Sequence, residues 1–174
     1  IKEGCYTCHS QMIRQVADDV LRFGKPSTIS ESMYDRPFQW GSKRTGPDLA
    51  RVGKKYPNLW HYKHMIDPRS VTPKSIMPNY PWLADKTIDF VSIRKKVSVM
   101  NVLGVPYDEK TIAQADVVAE NEAKVIAKDL ADQGITQPGL ERKEIVALIA
   151  YMQALGQKEK KKGDDNGKDV AGSL

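Results

Sequence analysis

Two cysteines are all that the 174 residues contain, and both fall within one five-residue stretch. That excludes a disulfide framework, so bridges say nothing about the redox compartment. No apolar run approaches the length of a bilayer span. A basic leader followed by an apolar stretch and a small-residue cleavage site is also lacking. The chain starts abruptly just before its main motif and is expected to be a fragment. Period-two alternation of any length is absent, as is an internal repeat, which argues against sheets and solenoids. Charge of one sign is scarce as well. The net charge is +5, with basic residues scattered among acids, so no nucleic-acid footprint exists and no nucleic-acid partner is expected. What remains, at 40% hydrophobic and 28% charged residues, is the composition of a globular chain with one core.

Helical periodicity and breakers organise that chain. Gln15 to Phe23 reads as an amphipathic stretch closed by Gly24. A loop-rich region follows, broken by Pro26, Pro37, Gly41, Gly46 and Pro47. Residues 48–67 suggest two short helices, the second with Asn58 as N-cap and an end before Pro68. Prolines 68, 73, 78 and 81 then forbid a regular helix or central strand. Helix returns from Ile88 to about Leu103. A further helix carries the stripe Ile112, Ala115, Ala119, Ala123, Ile126 and Leu130 before Gly134. The last runs from about Arg142 to Leu155, with Ile145, Leu148, Ile149 and Met152 on one face. The expected class is all-α, with residues 1–156 as one domain, a helical insertion at about 84–138, and 157–174 as a disordered charged tail.

Cys5-Tyr6-Thr7-Cys8-His9 has the C-x-x-C-H spacing of c-type haem attachment. Two intervening residues on one helical turn let both sulfurs reach the vinyl groups on one porphyrin edge, and the next residue projects an imidazole beneath the iron. The rival readings lack support. A zinc site needs four ligands, and there is neither a second cysteine pair nor a spaced histidine pair. A redox dithiol needs a strand before the motif and βαβ units after it.

Opposite His9 the iron has candidates in His61, His64 and six methionines. Met77 stands out because Ile76-Met77-Pro78 lies in the proline-fixed loop, where a thioether is held out on a stiff backbone. Met100 and Met152 read as core filler, and His61 and His64 as surface or hydrogen-bonding residues. The second ring nitrogen of His9 needs an acceptor, for which Gly46-Pro47-Asp48-Leu49 offers the Pro47 carbonyl, with Leu49 as an apolar wall. Arg51, Trp60, Arg69 and Trp82 are candidate propionate donors by type and location.

In this order, Cys5 to His9, Gly46 to Leu49, Met77-Pro78 and a final helix with Tyr151, the chain resembles the class I cytochrome c fold. Three longer strings, Glu3 to Arg14, Phe38 to Gly53 and Met77 to Leu83, resemble more narrowly the monohaem subunit of cbb3-type cytochrome c oxidases, CcoO/FixO. The resemblance covers about residues 1–156. It implies one covalent haem c on Cys5 and Cys8, with His9 and Met77 as axial ligands. It further implies a non-catalytic redox subunit with an N-terminal membrane anchor and its haem domain on the periplasmic face of a bacterial inner membrane. Such a subunit relays electrons from a dihaem cytochrome c subunit to the catalytic haem-copper subunit. The helix that packs on the final helix in that family is missing here, so Ile145, Leu148 and Ile149 are expected to lose part of their cover. Segment 10–45, longer than a minimal cytochrome needs, is expected to pack on the catalytic subunit. The alternatives are a free periplasmic carrier, a haem peroxidase or gas sensor with an open sixth site, and a zinc module.

Overall fold

Residues 1–12, 17–23, 25–35, 37–41 and 45–157 are described by the computed structural model. Six helices follow in order: α1 (Ala17–Phe23), α2 (Ile29–Ser32), α3 (Asn58–Ile66), α4 (Val91–Val102), α5 (Glu109–Asp132) and α6 (Glu144–Ala154). Short 3-10 turns occupy Cys5–Thr7, Pro68–Ser70, Pro81–Ala84 and Leu140–Arg142. The fold is all-α, as expected. Extended structure is confined, among the described residues, to a parallel pairing of β1 (Gln11–Met12) with β2 (Trp40–Gly41) and one bridge between Thr87 and Lys143.

Local chemistry explains the helix bounds and corrects three expectations. One helix, not two, forms within 48–67. Asn58 is its first residue and Pro57 occupies the cap; a proline with its φ already fixed suits a helix entrance, which leaves the Asn58 amide to donate to Asp129 at 2.9 Å. The helix expected from Ile88 starts at Val91, because Ile88 N–H donates to the Arg142 carbonyl at 2.8 Å and holds that residue extended. At α5, Asp108 caps by accepting from Thr111 N–H at 2.6 Å. Its end is closed by Gly134 at φ 94°, a conformation that glycine adopts without strain. The Gly24 cap and the tail from residue 158 lie outside the described residues.

The chain divides into two compact units. The first joins Ile1–Ser27, Trp40–Lys55 and the chain from Met152 onward; the second joins Thr28–Gln39 and Tyr56–Tyr151. In the first unit, the end of α6 is tied to the turn after Leu49. Gln153 Oε1 accepts from Lys54 N–H at 2.7 Å, and Gln157 Nε2 donates to the Gly53 carbonyl at 2.8 Å.

The second unit holds the main core, built from Met65, Leu83, Phe90, Ile126, Leu130, Leu140, Ile145, Val146 and Ile149. Ile145 and Ile149 are fully buried there and keep their cover, while Leu148 is half-buried. The same core takes Ala123, Ile126, Ala127 and Leu130 from α5. Each fully buried Leu, Ile or Val there contributes roughly 1.5–3 kcal/mol. Arg94 and Asp116 add a bidentate contact at 2.9 Å between α4 and α5.

Candidate functional site

The cysteine motif sits on a single tight turn. Gly4 enters it at φ 73°, which a residue with a Cβ rarely adopts. Cys8 N–H and His9 N–H then both donate to the Cys5 carbonyl, at 3.2 and 2.9 Å. Thr7 Oγ1 donates to the Gly4 carbonyl at 2.8 Å, which steadies the turn from its exposed side. Both cysteines are free thiols and half-buried. Burial, the largest influence, pushes the Cys5 thiol above its ordinary value.

The Gly46-Pro47-Asp48-Leu49 loop closes on this turn. Thr45 and Gly46 N–H both donate to the Cys8 carbonyl, at 3.1 and 2.7 Å. In return His9 Nδ1 lies 2.9 Å from the Pro47 carbonyl. A carbonyl only accepts, so Nδ1 carries the proton and Nε2 keeps the lone pair that a metal takes. Gly46 permits the approach, since a Cβ there would meet His9 Nδ1 at 2.6 Å. Asp48, 5% exposed, orders the loop itself: its Oδ1 accepts from Ala50 N–H at 2.8 Å. Leu49 is half-buried on the same loop.

Met77 lies in the second unit, half-buried against that unit's core. Its backbone is held at both ends: N–H donates to Ser75 Oγ at 3.2 Å, and the carbonyl accepts from Arg69 Nη1 at 3.3 Å. Arg69 is itself oriented by Asp67 at 3.1 Å. Among the other candidate donors, Arg51 Nη1 reaches the Ala50 carbonyl at 3.2 Å. Trp82 stands edge-on to Tyr80 at 5.4 Å.

His61 departs from expectation. It is neither at the surface nor hydrogen-bonded: its exposure is 0%, and neither ring nitrogen has a hydrogen-bond partner. The reason is its aromatic surroundings. Trp60 stacks between Tyr56 and His64, with centroids at 4.0 and 4.4 Å, and His61 meets the edges of Trp60 and Tyr56. Desolvation, with the nearby His64 second, lowers the His61 pKa to about 4. No spacing rule signals such a residue, because a histidine at position i+3 from another reads equally well as surface.

The donor set fits a haem better than a bare ion. Two thiols and a lone-pair imidazole on one turn match a macrocycle bound along one edge and ligated beneath. Among the described residues no group of three or more His, Cys, Asp or Glu is assembled to hold a metal ion. The orphan imidazole of His61 is a polar group of the kind that a bound cofactor or ordered water satisfies.

Comparison with curated proteins finds no match. One family matches, described as cytochrome c oxidase, mono-heme subunit/FixO, over residues 1–159. That span takes in the cysteine turn, the Pro47 loop, Met77 and all of α6, and the chain belongs to the FixO family of mono-haem cytochrome c oxidase subunits.

Proposed function

We propose that this electron-transfer subunit carries one haem c, joined by thioethers to Cys5 and Cys8, with His9 and Met77 as axial ligands. The observation that carries the reading is the 2.9 Å contact of His9 Nδ1 with the Pro47 carbonyl, which presents Nε2 to a metal. The bound haem supplies a reversible ferrous/ferric couple. The chain does the rest. Cys5 and Cys8 fix one edge of the macrocycle, Pro47 keeps His9 in one tautomer, and Leu49 offers an apolar wall. Met77 is delivered on a backbone that Ser75 and Arg69 hold. Thioether ligation opposite imidazole favours the ferrous state and fills both axial positions, which suits electron transfer over oxygen chemistry.

In the complex, electrons reach this subunit from a dihaem cytochrome c subunit and leave for the catalytic haem-copper subunit of a cbb3-type oxidase. The haem domain sits on the periplasmic side of a bacterial inner membrane; among the described residues no helix is long and apolar enough to cross one. Segment 10–45 faces the catalytic subunit. Leu21 in the first unit, and Ile29 and Phe38 in the second, support this: they are 87%, 74% and 59% exposed, and contact with a partner explains large apolar side chains left in water. A freely diffusing carrier has no use for it.

One observation favours a second reading of the distal ligand. His61 is neutral, buried and unpartnered, as a histidine ligand without its metal would be. Met77→Ala separates the two. Under the Met77 reading, the haem-loaded variant loses the weak far-red ferric band of sulfur ligation, its potential falls, and it binds cyanide or carbon monoxide readily. A ferric spectrum that lacks the sulfur band in wild type and is unchanged in the variant would transfer the role to His61.

A further inference from the structure

Asp48 makes contacts that axial ligation does not require. Its carboxylate is 5% exposed and bonded on two sides. Oδ1 accepts from Ala50 N–H at 2.8 Å. Oδ2 reaches back across the sequence to Ser27, accepting from its Oγ at 2.6 Å and its N–H at 3.3 Å. Ser27 is 7% exposed, so the pair is shielded from water. An ionised carboxylate in such a place is stable only when its lone pairs are used, and bonds to it are the strong, short kind. The residue held between these bonds and Gly46 is Pro47, whose carbonyl accepts from His9.

We propose that Asp48 and Ser27 form a buried clamp that fixes the Pro47 carbonyl on His9 Nδ1 and thereby sets the donor strength of the axial imidazole. They are positioning residues. Asp48 holds the loop on one side through the turn to Ala50 and on the other through Ser27, so Pro47 cannot swing away from the ring. A fixed acceptor draws on the Nδ1 proton, makes the imidazole more electron-rich and favours ferric iron. Loosening the acceptor does the reverse. The inference rests on haem attachment at Cys5, Cys8 and His9, and the experiment keeps the two apart.

The experiment uses Ser27→Ala, Ser27→Thr and Asp48→Asn in the haem-loaded chain. Two readouts serve: the exchange rate of the His9 Nδ1 proton, resolved by its paramagnetic shift in the ferric state, and the reduction potential. Ser27→Ala keeps the Asp48 charge and removes one oxygen. It is expected to exchange at least about tenfold faster than wild type, as loss of a charge-assisted bond implies, with a raised potential. Ser27→Thr restores both values. Asp48→Asn moves them in the same direction and further, having also lost a negative charge. Val52→Ala, which trims a buried apolar side chain of the same unit and leaves the Asp48 and Ser27 bonds in place, destabilises without accelerating exchange. Wild-type exchange and potential in both Ser27→Ala and Asp48→Asn overturn the clamp. Equal acceleration by Val52→Ala does so too, since general loosening then explains the result. If wild-type protein loses its haem on a denaturing gel, the attachment reading falls first and takes the clamp with it.

Discussion

Burying a histidine with neither nitrogen paired sets up a pH dependence that a single residue carries. The His61 pKa is about 4 in the folded chain against an ordinary 6.5. Between those values the unfolded chain binds the additional proton. The stability due to neutral His61 is therefore complete above pH 6.5 and is lost as pH falls towards 4. The span corresponds to about 3 kcal/mol, at about 1.4 kcal/mol per pH unit. Urea unfolding at pH 7 and pH 4.5 should show wild type losing most of that amount and His61→Leu losing little of it; equal losses would place the acid sensitivity elsewhere. At this scale the sequence was uneven. The contact of His9 with the Pro47 carbonyl was legible because an imidazole that keeps one ring nitrogen free needs an acceptor for the other. The Ser27 contact to Asp48 spans 21 positions, and the burial of His61 depends on rings gathered by folding. Neither leaves a local pattern.

Among the elements, periodicity succeeded where helices are long. The stripe ending at Leu130 foretold α5, and Ile145 with Ile149 foretold α6, because a buried face repeats at the helical period. It could not foretell β1 and β2, since two residues have no period. It also placed the start of α4 three residues early, because the bonds of Ile88 and Glu144 to the opposing chain compete with the helix. Leu130 tests whether the second unit depends on α5: with 0% exposure in the main core, Leu130→Ala should cost about 2–5 kcal/mol. Chemical denaturation measures it. A cost near zero would mean that α5 is an appendage to that core.

For the molecule as a whole, family membership makes this chain one part of an oxidase, and its exposed apolar residues are best understood in that setting. Ile29→Asp changes a side chain that is 74% exposed and should barely affect stability. If segment 10–45 meets the catalytic subunit, the same change weakens retention of this subunit in the purified complex about tenfold. Unchanged retention would put the segment in solvent. The organisation into two units was not legible in the sequence, because each is assembled from distant stretches of chain.

The ligand assignment and the clamp rest on a covalent haem at Cys5, Cys8 and His9. The most direct test is the absorption spectrum, reduced and oxidised, of protein matured in a host competent for cytochrome c, together with a denaturing gel stained for haem. The account predicts haem that stays on the denatured chain and a sharp α-band on reduction. A colourless protein, or haem that leaves the chain on denaturation, would contradict it.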